Sequence, residues 1–466
     1  MAHGGEHELA IPVRTRRVLA VTAGVLAIAT LVGIIVLRGT GDLLEGAERL
    51  NLISEVYDAK VVDSEREPCE GTVEANDVPC DVVRFRLSQG PDKGDTIELE
   101  FPESPTTPDL DPGDRVVLSY DPDATPGFEY QYHDRQRRPL LLWLTVLFAA
   151  AVIALGRWRG LAALAGLGAT IVVILQFVLP AVLDGRSPVL VAVVGASAIA
   201  YLALYLAHGL RTMTTVALLG TLGALAVTVV LASVFTALAQ FSGVASEEAA
   251  LVRIGAANVS LSGLVLGGMV IGALGALDDM TVTQASAVWE LRAANPGFTR
   301  RELSRAAIRI GRDHVASTVN TLALAYAGAA LPILILLVQS RQSLGTVANS
   351  EVVSIEIVRT LVGSIGLVAS VPLTTWLATR VVGTRETSAG RRARGDRSGP
   401  PPPSDEHEPH GDPPAPEPPA PERPLEEQFW GRGGPEPAPL PPWPTAPSPP
   451  EEAGREGSDP GPTAPG

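Results

Sequence analysis

The chain has 466 residues, of which 46% are hydrophobic and 5% are aromatic, and its formal net charge at pH 7 is −15. An acidic balance of this size argues against nucleic acid as a partner, because the phosphate backbone is bound by basic surfaces. The apolar residues are gathered in long uncharged runs, and about 20 helical residues cover the hydrocarbon core of a bilayer. The composition therefore predicts an integral membrane protein whose main solvent is lipid.

Eight apolar runs are long enough, or nearly so, to cross a bilayer as helices, which satisfy their own backbone hydrogen bonds in lipid. They are Val18–Leu37, Leu140–Leu155, Leu161–Leu183, Pro188–Ala207, Thr215–Phe241, Leu261–Leu277, Val315–Val338 and Ile357–Thr379. The first run follows Arg14, Arg16 and Arg17 and is too long for a cleaved signal peptide, so it predicts a signal anchor. Alternation through the eight spans puts most of the arginine clusters on the same side as the N-terminus, which predicts a plasma-membrane protein with both termini in the cytoplasm.

This pattern predicts an all-α membrane fold with four parts. They are a cytoplasmic N-terminus and signal anchor (1–38), an extracytoplasmic all-β domain (39–138), a seven-helix membrane domain (139–384) and a disordered Pro-rich cytoplasmic tail (385–466). The tail holds 24 of the 40 prolines and cannot bury enough apolar area to order itself. Its segment Leu440–Pro444 predicts either a polyproline ligand for a protein partner or a passive stretch of tail.

The β domain is predicted from strands that alternate in hydrophobicity at Val82–Leu87, Thr96–Phe101 and Arg115–Tyr120, with Gly-Pro turns between them. Such strands indicate a small barrel or sandwich, for example an OB-like barrel, serving either as a sensor or as a solvated cap. The only two cysteines, Cys69 and Cys80, fall in this domain. An oxidising compartment predicts a disulfide between them, the alternative being two free thiols.

Two helix-start signals follow the sixth span. Thr281–Gln284 and Thr299–Glu302 both fit a capping box, and Asn295–Gly297 between them predicts a helix end near Ala294. The second helix is basic and amphipathic, with Leu303 and Ala307 on its apolar face. It is predicted to lie either in the inner headgroup layer or against the protein body.

Three ordered motifs resemble the YibE/F-like family of bacterial membrane proteins. They are Gly272–Met280 (GALGALDDM), Gly311–Tyr326 (GRDHVASTVNTLALAY) and Glu356–Gly366 (EIVRTLVGSIG). The resemblance implies a multi-span protein with an N-terminal extracytoplasmic domain and suggests a transport role. Family members tend to carry a single acid after the glycine-rich span, whereas this chain has Asp278 and Asp279.

Ionisable groups near membrane depth are costly and mark functional hypotheses. If the sixth helix continues, an oxygen-rich stripe suited to a hard cation lies on one face; otherwise Asp279 sits near the N-cap of a new helix. Asn320 is expected either to line a pathway or to bond a neighbouring helix. The candidate polar residues are Asp278, Asp279, Thr283, Ser286, Glu290, Asp313 and Asn320.

The first functional hypothesis is a permease or channel for an ion or small solute, with membrane lipid as its surroundings. The rival is a non-transporting scaffold or sensor that uses the β domain. An enzyme is not expected, because the chain has no G-x-S-x-G, H-E-x-x-H or Walker A motif. No cofactor and no resident metal are expected.

Overall fold

The computed structural model describes residues 11–39, 55–68, 79–245, 247–256 and 258–382. All of them belong to one compact unit, Met1–Arg391. The predicted tail (385–466) and Cys69 lie outside the described residues. The predicted boundaries of the four parts therefore stay predictions at those ends.

The helices follow the apolar runs of the sequence. They are α1 Val13–Leu37, α2 Arg138–Val173, a π-helical turn Ile174–Val178, α3 Leu179–Leu183, α4 Pro188–His208, α5 Thr212–Leu238, α6 Glu247–Gly255, α7 Leu261–Ala294, α8 Arg300–Ala329, α9 Leu331–Gln339, α10 Leu344–Asn349 and α11 Glu351–Val381. The predicted helices at the first, fourth, fifth and eighth runs are confirmed within a few residues. Large apolar side chains such as Trp143 and Leu155 stay exposed, as lipid-facing residues would.

Six helices among the described residues are long and apolar enough to cross a membrane, or seven when α8 and α9 count as one bent span. The stretch Arg138–Leu183 has 46 residues, about 69 Å as a straight helix, which is twice the thickness of a hydrocarbon core. Arg157 interrupts it with φ 51° and ψ −127°. Gly160 then packs against the carbonyl of Val152, so the chain doubles back between the predicted second and third spans. Eight spans nevertheless stay a prediction.

The predicted start of a new helix at Thr281 is wrong. α7 continues without interruption through Thr281 to Ala294, so no new helix begins there. α8 likewise joins the predicted amphipathic helix to the seventh span as one 30-residue helix. The real break comes at Ala330, where α9 turns away from α8 by 63° and Pro332 occupies the first turn of α9.

The helices form a bundle in which α5, α7 and α11 pack against one another and α8 packs on α7 and α11. The main core is made of small and medium apolar side chains, including Ala224, Val270, Leu277 and Leu367. A second core contains Leu303 and Ala307 of α8, both fully buried against α5, α7 and α11. The apolar face of the predicted amphipathic helix is thus docked on the protein body, and the headgroup-layer alternative is wrong for that face.

The β domain is a single antiparallel sheet. Its strands are β1 Glu55–Pro68, β2 Pro79–Leu87, β3 Thr96–Pro102, β4 Arg115–Tyr120 and β5 Tyr130–Arg135, in the order β3-β2-β1-β4-β5. The three predicted strands are confirmed. The rings of Phe101 on β3 and Tyr132 on β5 meet edge to face at 5.8 Å, so the sheet curls until its outer strands approach, as in a partly open barrel. Phe85 and Leu118 fill its core.

Candidate functional site

Two of the seven predicted polar residues, Asp278 and Asp279, belong to a group of polar side chains on α7, α8 and α11, the three helices that pack together. We call this group the polar seam. It consists of Asp278, Asp279, Gln284, His314, Tyr326, Glu356, Arg359 and Thr375. The continuity of α7 and α8 sets the rotation of the members that these two helices carry.

α7 starts at Ser260, whose side chain accepts a hydrogen bond from the amide of Gly263 at 3.2 Å. Thr281 does not cap a second helix. Its hydroxyl donates to the carbonyl of Asp278 at 3.1 Å and lies 2.6 Å from the hydroxyl of Thr221 on α5. Because these partners satisfy Thr281 inside a continuous helix, the prediction that Asp279 lies near an N-cap is wrong.

The two adjacent aspartates have different surroundings. Oδ1 of Asp278 is buried and accepts no hydrogen bond from any described residue. The side chain of Asp279 is 67% exposed, and its Oδ2 lies 3.5 Å from Nε2 of His314 on α8. Asp278 is thus the more enclosed of the two carboxylates, with Oδ1 buried, and Asp279 is the outer one, beside His314.

The remaining predicted residues lie further out. Thr283 and Ser286 are half-buried, and Glu290 is exposed. These residues do share a face with Asp279, but about 16 Å of helix axis separates the carboxylates of Asp279 and Glu290. A single ion with ligands at about 2.5 Å could not contact both.

Asp313 and Asn320 are exposed on α8, and no hydrogen bond or ion pair joins either of them to another described residue. Among the described residues, no three His, Cys, Asp or Glu side chains are grouped so that they could hold a metal ion. The full predicted set thus does not converge, and its role in transport stays a prediction.

Gln284 was treated in the sequence only as part of a capping signal, yet it joins three helices. It is 1% exposed on α7. Its Nε2 donates to the carbonyl of Ala307 on α8 at 3.0 Å and to the hydroxyl of Thr375 on α11 at 2.7 Å. A side chain at Gly311 would collide with Oε1 of Gln284, so α8 can approach closely only because glycine occupies that position.

A second group that the sequence analysis missed lies at the other end of the polar seam. Nη1 of Arg359 on α11 is 2.5 Å from Oε1 of Glu356, and its guanidinium carbon lies 5.8 Å from the ring centre of Tyr326 on α8. Nε of Arg359 is buried and has no hydrogen-bond partner among the described residues. A usable signal existed, because Arg359 is the one charged residue inside the predicted span Ile357–Thr379.

Cys80 lies at the start of β2 and is 1% exposed. Because Cys69 is outside the described residues, the predicted pairing of the two cysteines stays a prediction.

Comparison with known proteins gives one match. A family model described as YibE/F-like protein matches residues 144–384, which is more than half of the chain and includes the whole polar seam. No curated protein and no solved structure matches the chain significantly.

Proposed function

The chain belongs to the YibE/F-like family, and on that premise we propose that it is a permease or channel for an ion or small solute. In this proposal Asp278 binds and releases the transported or coupled cation, and the polar seam is the pathway. The protein then sits in the plasma membrane with both termini in the cytoplasm, as the arginine distribution predicts.

The observation that carries the proposal is the enclosed carboxylate of Asp278. Burying a carboxylate without a hydrogen-bond partner is expensive, and an ionisable group within a spanning helix is a functional candidate by default. Binding of a proton or another cation to the carboxylate offsets this free-energy cost of burial. Asp279 follows Asp278 on α7 and is mostly exposed, so in this proposal Asp279 and its neighbour His314 pass the cation between Asp278 and the surroundings.

The position of the second charged group also supports a pathway. Asp278 and Gly272, which packs against the hydroxyl of Tyr326, are six residues apart on α7, or about 9 Å along the axis. Tyr326 in turn lies under Arg359. Charged groups therefore occur at two depths on the same three helices. The helix break at Ala330 and Pro372 within α11 are irregularities of the kind that transporter sites use.

The rival proposal is a scaffold or sensor that moves no solute. Purified protein in liposomes separates the two. Interior pyranine reports proton movement and interior calcein reports Mn²⁺ movement, each under an imposed membrane potential. We expect flux for at least one of these ions with the wild-type protein.

The matched variants are Asp278→Asn and Asp279→Asn. Both remove one carboxylate from the same turn without changing size, but only Asp278 is enclosed. We expect Asp278→Asn to reduce flux at least about tenfold, because one enclosed charge is worth more than about 1.4 kcal/mol in a spanning helix. Asp279→Asn should retain measurable flux.

Both variants should elute as the wild-type protein does in gel filtration, which shows that they fold. Equal flux through Asp278→Asn and wild type would refute the assignment of Asp278. If liposomes that contain the wild-type protein pass neither ion, and deletion of the β domain produces a phenotype, the scaffold or sensor is favoured.

A further inference from the structure

A cleft of about 390 Å³ lies between α1, α4 and α5, away from the polar seam. Arg16 on α1 and Arg211, the residue that precedes α5, stand at one end of it. Small residues of α1, including Gly24 and Ala27, form one wall further along, and Tyr201 of α4 faces them. The cleft therefore has a cationic mouth and a mostly apolar body.

The mouth suits a phosphate group. Guanidinium groups bind phosphate oxygens through paired, charge-assisted hydrogen bonds. The first turn of α5 adds to this, because its N-cap residue Arg211 makes no side-chain capping bond and the positive end of its dipole faces the mouth. Thr212 and Thr215 line the same end.

The body of the cleft suits a hydrocarbon chain. Arg16 and Ala27 are eleven residues apart on α1, or about 16 Å, which is close to half of the hydrocarbon core of a bilayer. Tyr201 bridges the cleft by donating from its hydroxyl to the carbonyl of Ala23 at 2.7 Å, so its polar tip is satisfied and its ring is left as an apolar wall. An acyl chain lying here would extend through the hydrocarbon region of one leaflet.

The arginine distribution predicts that the mouth faces the cytoplasmic leaflet, where anionic lipids attract clustered basic residues. We infer that this cleft binds an anionic phospholipid, with its phosphate between Arg16 and Arg211 and one acyl chain along the small residues of α1. The bound lipid would fill the space between α1 and the rest of the bundle. Neither the YibE/F-like match, which begins at residue 144, nor the proposed transport function requires such a site.

The test is lipid retention by the purified full-length protein, measured by native mass spectrometry during titration with phosphatidylglycerol or phosphatidylcholine. We expect the wild-type protein to prefer phosphatidylglycerol. The double variant Arg16→Gln/Arg211→Gln should weaken that binding by about thirtyfold, since each basic residue near the surface contributes about fivefold.

The matched control is Arg14→Gln/Arg17→Gln, which removes the same charge from the same end of α1. These two arginines are exposed and do not line the cleft. We expect this control to change phosphatidylglycerol binding by less than about threefold, because its charges lie only near the site. An effect as large as that of the cleft variant would overturn the proposal in favour of general surface attraction.

A second pair of variants tests the acyl chain. A Cβ at Gly24 meets no atom within 4 Å, so Gly24→Leu fills the cleft without disturbing the packing of α1. Ala29→Leu places a leucine at an exposed position outside the cleft. We expect Gly24→Leu to abolish lipid retention and Ala29→Leu to preserve it.

Millimolar inorganic phosphate distinguishes a lipid from a free anion. We expect it not to displace phosphatidylglycerol. Displacement by phosphate, or full lipid retention in Gly24→Leu, would show that no acyl chain occupies the cleft and would overturn the proposal. The Gly24→Leu result decides the matter even if the arginine double variant does not fold.

Discussion

The Gln284 junction gives the most direct test of how the bundle is held together. Gln284 donates two hydrogen bonds to neighbouring helices, one to α8 and one to α11. An interhelical hydrogen bond in a membrane protein contributes about 0.6 kcal/mol on average, so Gln284→Met, which keeps most of the volume, should cost about 1 kcal/mol. Gln284→Ala also leaves a cavity worth about 2 kcal/mol more, for a total of about 3 kcal/mol.

The assay is reversible unfolding in mixed micelles with increasing dodecyl sulfate, followed by far-ultraviolet circular dichroism. Thr283→Ala is the matched control, because Thr283 is the half-buried neighbour of Gln284 on α7. Its change in unfolding free energy should stay within about 0.5 kcal/mol. If Gln284→Ala unfolds within that same margin of the wild-type protein, the junction does not hold the three helices together and the reasoning fails.

Two further outcomes follow from close packing and from a buried phenol. Gly366→Ala should lower the unfolding free energy by about 1–3 kcal/mol, because the added Cβ collides with the hydroxyl of Thr228; Thr228→Ala in the same chain should recover part of the loss in a double-mutant cycle. Burial and the 2.8 Å hydrogen bond from Tyr130 to Asp92 raise the pKa of Tyr130 above its usual value of 10.0, so the folded β domain holds that proton more tightly than the unfolded chain does. This contribution to stability is complete below about pH 10 and is lost as the pH rises through the raised pKa. Thermal unfolding measured at rising pH should show this loss in the wild-type protein and a flatter profile in Tyr130→Phe. Equal pH profiles for the two proteins would contradict the assignment.

Helices were predictable from the sequence where residues at both ends of an apolar run mark the start and the end of the helix. α4 begins at Pro188, a local start signal, and ends before Gly209, a local stop signal, and neither signal depends on another part of the fold. β4 was predicted at its observed bounds because a short apolar run follows the turn at Pro112-Gly113. That run, from Val116 to Leu118, is buried without alternating between the core and the surface. β1 and β5 were missed because charged residues occupy many of their positions, and only pairing with β2 and β4 reveals them as strands.

Local signals failed where tertiary partners compete with them. The capping pattern at Thr281 is sound as local chemistry, but Thr221 on a neighbouring helix satisfies the hydroxyl and the helix continues. The sequence could place Asp278 and Asp279 together without showing which one is enclosed, because packing sets the rotation of α7. Arg359 differs from these cases, since its charge within an apolar run was visible from the start.

The unbroken length of α8 has a mechanical consequence. Its 30 residues make a rod of about 45 Å that follows the N-cap residue Thr299, contains His314 and Tyr326, and ends at the bend after Ala329. A rigid rod transmits rotation along its length, so pivoting it by about 5° at one end swings the far end by about 4 Å. A movement of the arginines in its first turns would therefore displace Tyr326 and the bend directly, and no other element would be needed to couple the two ends of α8.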